Sequence, residues 1–230
     1  MVGFFFFFLP AFCFTFSQTH IESGIAGVLN SLTPVFTFVL GVLFFTMKFE
    51  KNKLYGLIVA LTGAIILVYF DKAPGGESNL LYALPLFVAT MSYATSANLV
   101  KRYLQTAHPL TLGAVGFSFI GIPAIIYLFT TDFLQHSHDE FFTISLSSIL
   151  ALSFFGTVIA SIGYYTLIQR TDAIFGSLVT YLIPIVAILI GFIDGEKLFF
   201  YHLIGMLFIL AGIYIINAKP KVQASENATK

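Results

Sequence analysis

Residues 23–44 read SGIAGVLNSLTPVFTFVLGVLF, and residues 173–194 read AIFGSLVTYLIPIVAILIGFID. Laid over each other at a spacing of 150, they pair Leu32 with Leu182, Pro34 with Pro184 and Gly41 with Gly191. The stretches that follow pair after a one-residue slip: Leu54 with Leu203, Gly56 with Gly205, Gly63 with Gly212 and Ile66 with Ile215. Leucine, isoleucine and glycine are common in this chain, so some matches arise by chance. Prolines and glycines in register at mid-helix are harder to obtain that way, and they mark an internal repeat.

The charges divide the rest of the chain into runs of the same kind. There are eight: Met1–Ile21 (apolar mainly to Phe16), Ser23–Met47, Leu54–Phe70, Leu80–Val100, Leu110–Thr131, Phe141–Gln169, Ala173–Ile193 and Leu198–Ala218. Apart from Met1–Ile21, which has a polar end, each is apolar on every face. Each is close to the roughly 20 residues that cross a bilayer as a helix. Barrel strands would instead alternate over about 10 residues. Composition agrees. Of 230 residues 58% are apolar and 10% charged, with 11 basic residues against 11 acidic. Soluble domains carry about 25% charged residues, and a chain of this size has too little interior to hide so much apolar surface. A basic face for nucleic acid is absent, and the one cysteine, Cys13, excludes a disulfide framework. The expected class is all-α: a polytopic membrane helix bundle of about eight transmembrane helices, with the lipid bilayer as its solvent. The first run is read as a helix rather than a signal peptide, because no Lys or Arg precedes Phe4–Phe8.

Cations concentrate in cytoplasmic loops. With eight crossings, Lys48, Lys51, Lys53, Lys101, Arg102, Arg170, Lys219, Lys221 and Lys230 fall on one side, and only Lys72 and Lys197 on the other. Both termini are therefore expected in the cytoplasm of a multi-pass protein of the cell membrane. Five crossings separate the two copies of the repeat. Five is odd, so the second copy enters the membrane upside down, and Glu22 and Asp172 come to opposite sides. Inverted repeats are a signature of secondary transporters, whose substrate site lies near the midplane where the copies meet.

The proline-bearing helix followed by a glycine-containing helix resembles the end of an EamA-type domain of the drug/metabolite transporter superfamily. It does so twice, in the first copy with LYGLIVALTGAIIL and in the second with LIGMLFILAGIYII. The second copy keeps the Gly195-Glu196 turn of that pattern, and the first has Phe45-Thr46 there. The resemblance extends to Asn217 and implies ten helices in two five-helix halves. Against that scheme this chain starts at the third helix. The implied organisation is a truncated first repeat of three helices (1–70), a linker (71–79), a complete second repeat (80–217) and a disordered cytoplasmic tail (218–230). A homo-oligomer or a separately encoded partner is the expected source of the two missing helices.

Polar groups at lipid depth are costly unless protein or a wet cavity satisfies them. They nominate a mildly polar, uncharged substrate cavity lined by four of the runs: Asn30, Pro34 and Thr37; Ser92 and Ser96; Thr157, Ser161 and Tyr164; Thr180, Tyr181 and Pro184. Each Ser or Thr has a second reading as a helix-packing residue. Gly27, Gly41, Gly56, Gly63, Gly191, Gly205 and Gly212 are assigned to packing outright. Glu22 and Asp172 read as carboxylates at helix starts, and Glu196 as a turn residue. His136, His138, Asp139 and Glu140 read as a solvated loop rather than a metal site. The Asn227-Ala228-Thr229 sequon lies in the cytoplasmic tail. No catalytic residue, metal or cofactor is expected: no carboxylate sits mid-helix, and neither Gly-x-Ser-x-Gly nor His-Glu-x-x-His occurs. The resemblance implies alternating-access export of small metabolites or drug-like molecules, which for an uncharged cavity means neutral, zwitterionic or partly apolar ones. The alternative is an inactive or partner-dependent membrane fragment with a structural role.

Overall fold

The computed structural model describes residues 2–20, 23–70, 80–131, 141–193 and 199–218. All regular structure among them is helical. α1 covers Phe4–Gln18. It is followed by α2 (Ser23–Asn30), α3 (Thr33–Phe44), α4 (Lys51–Phe70) and α5 (Leu84–Tyr103), the last entered through a 3-10 turn at Leu80–Ala83. Then come α6 (Pro109–Phe129), α7 (Phe142–Arg170), α8 (Ala173–Ser177), α9 (Val179–Ile193) and α10 (Phe200–Asn217). Each of the eight apolar runs carries helix. The chain is a multi-pass membrane protein and a helix bundle. Residues Glu22, Lys72, His136, His138, Asp139, Glu140, Gly195, Glu196, Lys197 and the tail from Lys219, with its sequon, lie outside the described residues.

The exterior is apolar, as a lipid solvent requires. Nothing between Phe142 and Ile159 is buried, although Leu152, Phe154 and Phe155 are among its side chains. Of the four helices among the described residues that are long and apolar enough to cross a membrane, Leu81–Tyr103 is the least apolar and the most enclosed, with 56% of its most apolar 18-residue stretch buried. Its buried face carries Ala89, Thr90, Ser92, Ala94, Ser96, Ala97 and Asn98. Small and polar residues face protein here because lipid cannot satisfy them.

Two of the runs expected to be continuous are broken. Ser23–Met47 is interrupted at Ser31 and Leu32, and Ala173–Ile193 at Leu178. Pro34 sits in the first turn of α3, where a missing N–H removes no helical bond. The Asn30 carbonyl, which residue 34 would otherwise engage, accepts from the Thr33 hydroxyl at 2.7 Å. At the second break the Tyr181 N–H bonds the Leu178 carbonyl at 3.0 Å. That releases the Ser177 carbonyl, which accepts from the Thr180 hydroxyl at 2.9 Å. A threonine beside each break therefore satisfies one carbonyl that the helix no longer uses.

α4 and α10 run antiparallel and approach until their backbones touch. A Cβ on Gly56 would lie 2.7 Å from the Gly212 carbonyl oxygen, and one on Gly63 would lie 2.6 Å from that of Gly205. In the repeat alignment Gly56 corresponds to Gly205 and Gly63 to Gly212. Exchanging the two copies therefore turns the contact of Gly56 with Gly212 into that of Gly205 with Gly63. This is the self-complementary pattern of an interface built around a two-fold axis. Around the seam Leu57, Ala60, Ala64, Leu67, Ile209 and Tyr181 form the largest buried apolar cluster among the described residues.

Candidate functional site

Polar contacts between distant parts of the chain concentrate on α5 and on one end of the bundle. Inside, Asn98 of α5 donates from Nδ2 to the Thr37 carbonyl of α3 and to its own helix at Ala94, both at 3.0 Å. Ser92, on the same helix, donates to the Phe5 carbonyl of α1 at 2.8 Å. At the end, Lys53 sits between Asp172 at 3.1 Å and Glu50 at 3.2 Å. Asp172 also accepts from the Phe175 N–H at 2.7 Å, capping α8. Lys101 donates to the carbonyls of Thr171 and Gln169, and Gln169 in turn donates to those of Leu104 and Ala107, both at 2.7 Å. Lys53 precedes the apolar run of α4. Burial pulls its pKa down, but the Asp172 and Glu50 carboxylates together outweigh this, and the net direction is up from the ordinary lysine value.

The residues nominated for a cavity separate into groups. Pro34 and Thr37 are buried in α3, and the Thr37 hydroxyl donates to the Thr33 carbonyl of its own helix at 2.8 Å. Asn30 is half-buried, and its side-chain oxygen has no partner among the described residues. Ser92 and Ser96 are buried on α5, Ser96 without a partner for its hydroxyl among the described residues. On α7, Ser161 is buried and donates to the Val158 carbonyl at 3.0 Å. Tyr164 is half-buried and stacks on Phe6 of α1. Tyr181 is fully buried in the cluster around α4 and α10, and Thr180 beside it is half-buried. Thr157 is exposed on the stretch of α7 that buries nothing. Pro184 lies within α9 and Gly191 near its end, but their side-chain surroundings are outside the described part of the structure. Of the packing glycines, Gly56, Gly63, Gly205 and Gly212 make the α4–α10 seam. Gly41 faces Asn98, whose Oδ1 would meet a Cβ there at 3.0 Å. Gly27 is half-buried in α2.

One open space among the described residues lies apart from these positions. A half-open cleft of about 1320 Å³ runs between the start of α1, the ends of α3 and α5, and α6. Phe4, Phe5, Phe8, Phe44, Tyr103 and Leu112 are on its walls, and none of the eleven nominated cavity residues is. This cleft is lined almost wholly by apolar side chains. Side chains that matter to the interior also escaped the sequence reading: Asn98, Tyr93, Tyr165 and Phe6. Asn98 carried a usable signal, an amide within an uncharged apolar run, which is the rule that selected Asn30.

Comparison with known proteins adds to this geometry. The pattern of the EamA-like transporter family matches residues 1–69 and 80–218. An uncharacterized transporter of Archaeoglobus fulgidus is 27% identical over 203 residues, 88% of this chain and 70% of that protein. Protein PecM of Dickeya dadantii is 24% identical, covering 88% of this chain and 67% of its own length. A probable amino-acid metabolite efflux pump of Salmonella typhimurium is 25% identical over 214 residues, 89% of this chain and 71% of that pump.

Proposed function

The chain belongs to the EamA-like transporter family, and from that premise we propose that it is a secondary transporter exporting small metabolites by alternating access. Its two proline-bearing units, residues 1–70 and 80–217, move in opposite senses about the seam between α4 and α10. The membrane is the cell membrane, and both termini are cytoplasmic. The chemistry is binding and release rather than bond making. One observation carries the reading: equivalent glycines exchange partners across antiparallel α4 and α10. A pair of units related in this way has two near-equivalent packings, and passing between them opens one side as it closes the other.

The other features take roles within that scheme. Asn98 to Thr37 and Ser92 to Phe5 tie the units together at lipid depth. Lys53 to Asp172 ties them at the cytoplasmic end. Breaks beside Pro34 and at Leu178 leave short half-helices whose ends can reorient without unwinding a full span. The Salmonella typhimurium relative, a probable amino-acid metabolite efflux pump, supports small polar or zwitterionic cargo and outward movement. An uncharged interior supports the same class.

Reconstitution tests this. Proteoliposomes are loaded with labelled amino acids and their uncharged derivatives, and release is timed against protein-free vesicles. Protein-dependent, saturable release is expected for at least one compound. A Lys53→Cys, Asp172→Cys pair in a Cys13→Ser background, once bridged by a reducible bis-methanethiosulfonate long enough to replace the lysine side chain, is expected to stop that release, and reduction to restore it. No release across the panel would favour the structural-fragment alternative.

A further inference from the structure

Three helices meet around Phe6. Its ring stacks on Tyr164 (centroids 5.2 Å apart, planes at 25°), leans on Tyr165 at 5.2 Å and meets Tyr93 edge-on at 5.5 Å. Phe7 closes the remaining side at 4.7 Å. Tyr93 comes from α5 and the other two tyrosines from α7, so the cage joins three spans. The ring at its centre belongs to a π-helical segment, Phe4–Phe8. A second π-helical segment, Ser153–Ile159, lies just before the tyrosines of α7. Such segments are uncommon, and inside longer helices they gather at functional sites.

Packing alone leaves part of this unexplained. Tyr165 is fully buried, and its hydroxyl has no partner among the described residues. A phenylalanine would fill the same space without burying an unsatisfied donor. Near the cage Ser92 uses its hydroxyl on the Phe5 carbonyl, which secures the π segment to α5. The cage therefore offers aromatic faces and a buried hydroxyl, that of Tyr165, without a partner among the described residues, and one of the chain's own benzyl groups occupies it.

The geometry points to Tyr93, Tyr164 and Tyr165 as an aromatic subsite of the transport pathway. Phe6 holds it closed, and its ligand is an uncharged molecule with a planar aromatic ring and a hydrogen-bonding group. This assignment rests on the transporter reading and adds a substrate class to it. Tyr93 and Tyr164 hold the ring by stacking and edge contact. Tyr165 supplies the hydrogen bond that nothing among the described residues takes. Displacing Phe6 lowers the apparent affinity of the wild type by the fraction of molecules in which the cage stands open.

The test uses the full chain in detergent micelles and two probes, N-acetyl-phenylalaninamide and its cyclohexyl counterpart, which differ only in ring saturation. Equilibrium dialysis is expected to show wild type preferring the aromatic probe roughly fivefold. Phe6→Ala is expected to bind it on the order of tenfold tighter, because the competing ring is gone. Tyr164→Leu in that background is expected to erase the preference between probes. If Phe6→Ala does not stay monodisperse, Phe6→Leu keeps most of the volume and is expected to give an intermediate gain. Equal affinity for both probes, or no tightening in either Phe6 variant, overturns the subsite. Release from proteoliposomes separates the two levels. Flux of non-aromatic compounds with no probe binding removes the subsite and leaves the transporter standing. Probe binding with the expected variant pattern and no flux of any compound does the reverse.

Discussion

Gly63→Ala places one methyl group in the seam between α4 and α10. Built on the observed backbone, its Cβ lies 2.6 Å from the Gly205 carbonyl oxygen and 2.8 Å from the Ile209 nitrogen. Both are main-chain atoms, so no rotamer change relieves the contact. Ordinary contact begins at 3.4 Å, and the helices must therefore separate by about 0.8 Å. A gap of that size forfeits a quarter to a half of the dispersion energy of the contacts it opens. Overpacking costs about 1–3 kcal/mol, and the better helix propensity of alanine returns roughly 1 kcal/mol. A net loss of about 0–2 kcal/mol is expected relative to wild type, and about 1–3 kcal/mol relative to an alanine that gains the propensity without the clash. Gly163→Ala is the control: it is also helical, but nothing lies within 4 Å of its Cβ position, so it keeps only the propensity gain. The assay is unfolding by dodecyl sulfate titration in mixed micelles. Tyrosine signals report it, since the chain has 11 tyrosines and no tryptophan. Gly205→Ala is expected to cost less than Gly63→Ala, because the Cβ there meets chiefly the movable Leu67 side chain and the Gly63 carbonyl oxygen only at 3.0 Å, and the double variant to cost less than the sum, because one separation relieves both backbone contacts. Equal stability of Gly63→Ala and Gly163→Ala would refute the close seam.

Further expectations follow from single contacts. Asp172→Asn keeps a capping side chain but loses the charge on Lys53, and should cost about 0.5–1 kcal/mol in the same titration. Asp172→Ala loses the cap as well and should cost about 1 kcal/mol more. Asn98→Ala removes the bond to the Thr37 carbonyl at lipid depth, where such bonds average about 0.6 kcal/mol and reach about 1.7. Faster hydrogen exchange in α3 than in α10 should accompany it. Thr33→Val strips the hydroxyl from the Asn30 carbonyl beside Pro34, and should cost about 1 kcal/mol. Thr62→Val, whose hydroxyl bonds the Ile58 carbonyl within α4, should cost a few tenths at most. Equal costs for the two threonines would show that the break beside Pro34 carries no unsatisfied carbonyl.

How much of this was legible follows from what lipid imposes. The bilayer sets the length of a span, so eight runs could be read from charge-free stretches alone. Gly56, Gly63, Gly205 and Gly212 could be read as packing residues, because their register repeats. The helices on which they close could not, since that depends on crossing geometry that leaves no mark on either helix alone. The cavity was the least legible part. Thr37, Ser161 and Thr180 each donate to a carbonyl three or four residues back in their own chain. A hydroxyl at lipid depth can thus be satisfied with no cavity beside it, and its presence says little about where space lies. Amides and phenols have longer reach and more to satisfy, and Asn98 is the residue whose side chain bridges α5 to α3. Tyr165 is the reverse case, a buried phenol left without a partner among the described residues. The break at Leu178 was invisible as well. It lies six residues before Pro184, too far for that proline's ring to be its cause.

Opposite orientation of the two proline-bearing units is tested most directly by labelling. In a Cys13→Ser background, single cysteines replace Lys48, beyond the end of α3, and Ile193, at the end of α9. A membrane-impermeant maleimide is applied to right-side-out and to inside-out vesicles. Lys48→Cys should react only in inside-out vesicles and Ile193→Cys only in right-side-out ones. Reaction of both from the same face would mean that α3 and α9 cross the membrane in parallel, and the two units would then have no exchange of packings on which to run a transport cycle.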